Sequence, residues 1–165
     1  MTSPSQVPDN ESNIEENALF YVSFKIILRN QDDSMLLLNL PPKSAMAGYY
    51  DLPGGRIRKG EERIPIPKIM KREIEEELGN ITFELRETPV SVGRHFYISA
   101  KTGEEKKLFW VFFEAKYIGG TLNISDEHTG YEWVHITADN VKKYFTKGIL
   151  DGMWSYVHNK FYQLD

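Results

Sequence analysis

The sequence predicts an α/β fold: one mixed β-sheet held between helical layers. Segments rich in β-branched and aromatic residues stand on both sides of a single amphipathic helix, and two helical segments close the chain. The chain has 165 residues, 41% of them hydrophobic and 13% aromatic, which suits one globular core and leaves little for a second.

Residues 1–16 are polar, acidic and proline-bearing and read as a flexible tail, so the folded domain is expected over 17–165. Residues 18–28 predict the first strand. The run Asn30-Gln31-Asp32-Asp33-Ser34 supplies a turn into a second strand at 35–38. A loop over 41–48 leads to a short strand at 49–52, which enters the turn Pro53-Gly54-Gly55. Pro65 and Pro67 cannot lie inside a helix, but Pro67 suits a first helical position, so a helix is expected from there to Leu78. Strands follow at 81–85, 90–99 and 108–117, with Gly103 at the tip between the last two. Gly119 and Gly120 break the chain, a short strand is expected at 131–136, and helical segments at 137–145 and 149–162. There is no internal repeat.

The central helix carries the chemistry. At about 100° per residue, Ile69, Met70, Ile74 and Leu78 share one half of the cylinder. Glu73 and Glu77 fall inside that apolar half, and Glu76 sits at its edge. Carboxylates aimed at a core are costly unless something positive meets them. Three acids outnumber the one inward-capable base, Arg72, so a hard cation with oxygen ligands is the better partner. Glu75, Lys68 and Lys71 read as a solvated face.

The stretch from Gly55 to Gly79 resembles the Nudix box. Gly55, then five residues, then Glu61 fit its first half; Arg72, Glu73, Ile74, Glu76, Glu77 and Gly79 fit its second. It departs in two places: ten residues instead of seven separate Glu61 from Arg72, and Asn80 stands where an aliphatic is usual. The surplus is expected to bulge at 63–67, leaving Glu73, Glu76 and Glu77 in register and the position of Glu61 open. The resemblance implies a Nudix-type α/β/α sandwich and hydrolysis of a nucleoside diphosphate linked to another group. It implies Mg2+ (or Mn2+) held by Glu73 and Glu77, with Glu76 bridging or orienting a water. It adds the carbonyl of Gly55 as a further ligand and gives Arg72 a structural pairing with box carboxylates.

Arg56, Arg58 and Lys59 follow the glycine turn and suit phosphate oxygens, or else solvent. The segment Ser125-Asp126-Glu127-His128, followed by Tyr131-Glu132-Trp133-Val134, is similar to the late loop and strand of Nudix members that cleave nucleoside triphosphates. There a glutamate six residues before the tryptophan is a metal ligand or proton acceptor, a place that Glu127 fills here. Glu132 is the alternative base. His128, a single loop histidine, is expected at the surface. Most of the strand aromatics are expected to fill the core, with one or two left to stack on a base or sugar.

Several classes are disfavoured. A formal charge of −4 opposes a broad nucleic-acid-coating surface, though a small anionic substrate can still meet a local basic loop. The chain has no cysteine, so it offers no disulfide, thiolate nucleophile or Cys-based zinc site, and no cysteine for an isopentenyl diphosphate isomerase of the same family. No membrane span or secretory leader is read, so a cytoplasmic location and a small-molecule partner are expected, with a homodimer open. A nucleoside triphosphate is the favoured substrate. Nucleotide sugars, dinucleoside polyphosphates, the triphosphate end of RNA and a non-catalytic nucleotide-binding role are the alternatives.

Overall fold

The computed structural model describes residues 16–160. The tail expected over 1–16 lies almost wholly outside the described residues, as do the last two positions of the helical segment expected over 149–162. Seven strands and three helices follow in the order β1 (Tyr21–Arg29), β2 (Met35–Asn39), β3 (Tyr50–Asp51), α1 (Ile66–Leu78), β4 (Ile81–Leu85), β5 (Ser91–Ile98), β6 (Glu105–Gly120), β7 (Tyr131–Val134), α2 (Val141–Tyr144) and α3 (Lys147–His158). Among the described residues no helix is long and apolar enough to cross a membrane.

The strands form one mixed sheet with the path β3-β2-β1-β6-β4. β1 and β6 are parallel, and every other pairing is antiparallel. β6 is long enough for β5 and β4 to lie end to end along one of its edges, β5 on Glu105–Phe112 and β4 on Ala115–Gly120. Side chains alternate across the sheet and so build two cores. Phe24, Ile26 and Leu28 pack with Ile69, Met70, Ile74 and Leu78 of α1. Ile27, Met35, Leu37 and Phe112 pack with Val141, Phe145, Ile149 and Met153 of α2, α3 and their connection. The expected helix–sheet–helix layering is what the structure shows.

Element limits differ where tertiary partners decide them. α1 starts at Ile66, so Pro67 is its second residue, not its first; Pro65 caps the helix in extended backbone. β6 runs to both sides of the expected 108–117, because its polar ends find partners in β5 and β4. The expected helix at 137–145 shrinks to four residues, because Asn140 folds back to accept the Thr137 N–H through its side chain, 2.8 Å, and opens the segment as a turn.

Candidate active site

The turn after β3 brings backbone against the carboxylates of α1. Gly54 has φ of 141°, and a Cβ there would lie 2.0 Å from the Phe24 carbonyl oxygen. A Cβ on Gly55 would lie 2.4 Å from the Glu73 carboxyl atoms. Only glycine lets the chain pass this close. Gly54 N–H donates to Glu77 Oε2 at 2.8 Å, and the Gly55 carbonyl accepts from Phe24 N–H at 2.8 Å. Glu73 and Glu77 are buried, at 5% and 7% exposure, as the helical spacing requires, while Glu76 stays exposed at the rim.

Arginines meet these acids. Arg72 forks onto Glu61 at 2.7 and 2.9 Å and reaches Glu73 at 2.8 Å and Glu76 at 3.2 Å. The inserted residues fold as a turn, with Ile64 N–H donating to the Glu61 carbonyl. Glu61 therefore reaches Arg72 despite the longer connection. Arg58 forks onto Glu76 at 3.1 and 2.5 Å and lies 3.9 Å from Glu73. The bond from Arg58 holds the Glu76 carboxyl below its ordinary range, and the Arg58 N–H, with Arg72, does the same for Glu61. Glu77 lies among other charges: burial pushes its carboxyl up to about 7, against the pull of Lys25 and the Gly54 N–H.

The basic residues after the turn therefore divide. Arg58 lies on the carboxylates. Arg56 turns the other way, donating to the Tyr97 hydroxyl at 3.1 Å above the Tyr21 ring, and Lys59 is exposed at the loop tip.

The late loop docks on the end of α1. Asn123 N–H donates to the Leu78 carbonyl at 2.8 Å and Ser125 N–H to the Glu77 carbonyl at 3.0 Å. Glu127, two residues further on, is exposed. Glu132 is exposed on β7, where it accepts from the Tyr50 hydroxyl at 3.2 Å.

His128 corrects the expectation of a surface residue. Its side chain is 4% exposed, with Nε2 3.7 Å from Asp51 Oδ2. Asp51 in turn accepts from Lys25 Nζ at 2.6 Å, and Lys25 also donates to the Leu52 carbonyl at 3.2 Å. Burial alone would raise the Asp51 carboxyl, but Lys25, His128 and the Leu52 N–H hold it down to about 2. Sequence reasoning missed this cluster. One signal was present: Lys25 interrupts the apolar run from Phe24 to Leu28.

A divalent cation fits these residues. The donors are carboxylates and a carbonyl, all hard oxygens. The glycine turn leaves no room for a side chain, and Glu77 is a buried acid that would gain from a nearby positive charge. Among the described residues no three acidic or histidine side chains converge as a finished cage, since Glu73 and Glu76 are drawn to arginines and Glu77 to a backbone N–H. The cavity of about 450 Å³ lined by Arg29, Glu84, Arg86 and Glu114 lies at the far end of β1, away from these acids.

Comparison with known proteins agrees with the box. A family model described as the NUDIX domain matches residues 19–147. The MutT protein from Methanosarcina mazei Go1 has a similar structure, with a TM-score of 0.59 and 23% identity over 88% of this chain and 95% of that one. A NUDIX hydrolase from Nitrosomonas europaea gives a TM-score of 0.59 and 20% identity, covering 88% of this chain and 94% of that one. The dihydroneopterin triphosphate pyrophosphohydrolase of E. coli gives 0.55 and 16%, covering 86% and 99%. At these identities the likeness is one of fold. No curated protein sequence matches the chain. The box, the glycine turn that seats it and a family match over most of the length lead to one assignment: the chain belongs to the Nudix hydrolase family.

Proposed function

We propose that the protein is a divalent-metal-dependent pyrophosphohydrolase that converts a nucleoside triphosphate to its monophosphate and pyrophosphate. The observation that carries this reading is the seating of Glu73 and Glu77 against the Gly54-Gly55 turn, with Glu76 at the rim beside them and the loop of Glu127 hydrogen-bonded to the Glu77 carbonyl. Glu73, Glu76, Glu77 and the Gly55 carbonyl would hold the cation, magnesium or manganese. Once bound, it supplies charge neutralisation on the diphosphate and activation of the attacking water. Arg56 and Lys59 hold phosphate oxygens. Water attacks one phosphorus, the bridging P–O bond breaks, and Glu127 takes the proton. Arg72 positions Glu73 and Glu76 through its ion pairs. The late-loop spacing favours triphosphates, and the name of the E. coli relative fits that choice, since it too acts on a triphosphate. Nucleotide sugars and dinucleoside polyphosphates are the second choice. The reading carries with it a cytoplasmic setting and a small-molecule partner.

The test is phosphate release from nucleoside triphosphates, nucleotide sugars and dinucleoside polyphosphates, with Mg2+, with Mn2+ and with a chelator. Cleavage of triphosphates that stops with the chelator is expected. Glu77→Gln keeps an acceptor for the Gly54 N–H but removes the charge, so its turnover should fall about 100-fold or more with the fold unchanged. Cleavage of another class alone would replace the substrate. Nucleotide binding without any cleavage would replace the enzyme with a binding module.

A further inference from the structure

Arg58 is well placed for a substrate phosphate by sequence, yet the structure puts it on two of the three acids that would hold the cation. Its guanidinium forks onto Glu76 and lies 3.9 Å from Glu73. One side chain cannot serve both partners at once. We propose that Arg58 is a tethered counter-ion: it neutralises Glu73 and Glu76 while the cation is absent, and on displacement by the cation it turns to the phosphates of the substrate. The proposal rests on the metal-site reading of these glutamates.

The local structure suits such an exchange. The Arg58 backbone is fixed, its N–H donating to Glu61 Oε2 at 2.8 Å and its carbonyl accepting from Glu61 N–H at 2.9 Å. Glu61 is itself clamped by Arg72. The Arg58 side chain, by contrast, is 53% exposed, and an exposed ion pair of this kind is weak and easily exchanged. Arg72 cannot do the same, because its side chain is 23% exposed and is forked onto Glu61 as well as paired with the metal candidates. Of the two arginines, one is thus a fixture and the other an arm. Three acids (Glu61, Glu73 and Glu76) face these two cations, so releasing Arg58 leaves a deficit that a divalent ion fills. Cation and phosphate then bind cooperatively, each favouring the state that the other needs.

The experiment uses the full chain, its fold checked by circular dichroism. Mn2+ binding is followed by the electron paramagnetic resonance of the free ion, for the unaltered protein, Arg58→Gln and Arg58→Lys. Without nucleotide, Arg58→Gln should bind Mn2+ roughly three- to ten-fold more tightly, with Arg58→Lys between. Binding of a non-hydrolysable α,β-methylene nucleoside triphosphate should be weakened by Arg58→Gln at saturating Mn2+ and much less without it. Equal or weaker Mn2+ binding by the glutamine variant overturns the proposal, as does the same loss of nucleotide binding with and without Mn2+. If the unaltered protein binds no Mn2+, the metal-site reading fails and the proposal with it.

Discussion

Lys25 is out of character with its strand. Its neighbours in sequence are core residues, yet it is 7% exposed and lies 5.4 Å from the centre of the Trp110 ring, with Asp51 as its ionic partner. A buried pair of this kind is costly to break from one side. Asp51 makes the consequence measurable. Its folded pKa is depressed below the ordinary carboxylate value, so its contribution is present above about pH 4 and is lost as pH falls toward 2. Lys25, His128 and the buried Glu77 are the charged or titratable groups that act on it. The contribution is roughly 2 kcal/mol. Urea unfolding at pH 6, 4, 3 and 2 should show a steeper loss in the unaltered protein than in Asp51→Asn, by about that amount; parallel curves would refute it. The sequence marked only Lys25, by its place in an apolar run; its partners were not legible, because Lys25, Asp51 and His128 belong to three separated segments and only the fold joins them. The glutamates of α1 were legible, because one helix fixes their mutual register.

Elements were legible where local pattern rules them and not where partners do. The turn at Asn30 was plain, and there the Asn30 side chain accepts from Asp32 and Ser34 N–H, each at 3.0 Å. The full length of β6 was hidden, because its ends are polar and owe their conformation to β5 and β4. The seat of α3 was hidden too. Gly152 lies against Phe112, where an added Cβ would come within 2.0 Å of the ring, and a Cβ on Gly93 would come 2.6 Å from the Gly148 carbonyl oxygen. Helix propensity favours alanine over glycine by about 1 kcal/mol, whereas overpacking a tight core costs about 1–3 kcal/mol. Phe112 is fully buried and has little room to yield, so packing should win. Gly152→Ala is expected to lower the urea midpoint with an unchanged m-value; a raised midpoint would show that α3 moves away freely.

At the scale of the whole molecule, the site joins parts that the chain keeps far apart. β1, the glycine turn, α1 and the late loop meet through the bonds of Phe24 to Gly55, Gly54 to Glu77 and Ser125 to Glu77. A cation held there should stabilise the entire fold, by about 2.7 kcal/mol at a hundred-fold excess over its Kd. For a domain of this size the thermal midpoint should rise by roughly 5 to 10 °C with Mn2+, and the rise should vanish in Glu73→Gln. An equal rise in that variant would place the ion elsewhere. The α/β/α layering was legible from the order of segments, since one helix between strands and two at the end leave few ways to cover a sheet.

The longer connection before α1 has a practical consequence. Glu61 finds Arg72 by side-chain reach, and residues 62–66 stand exposed beyond that clamp. Chain length here is therefore uncoupled from the register of the α1 acids. The segment is a natural graft point: a short epitope or a dye-labelling sequence spliced between Arg63 and Ile64 would sit beside the site and report on it, while the clamp keeps the acids in place.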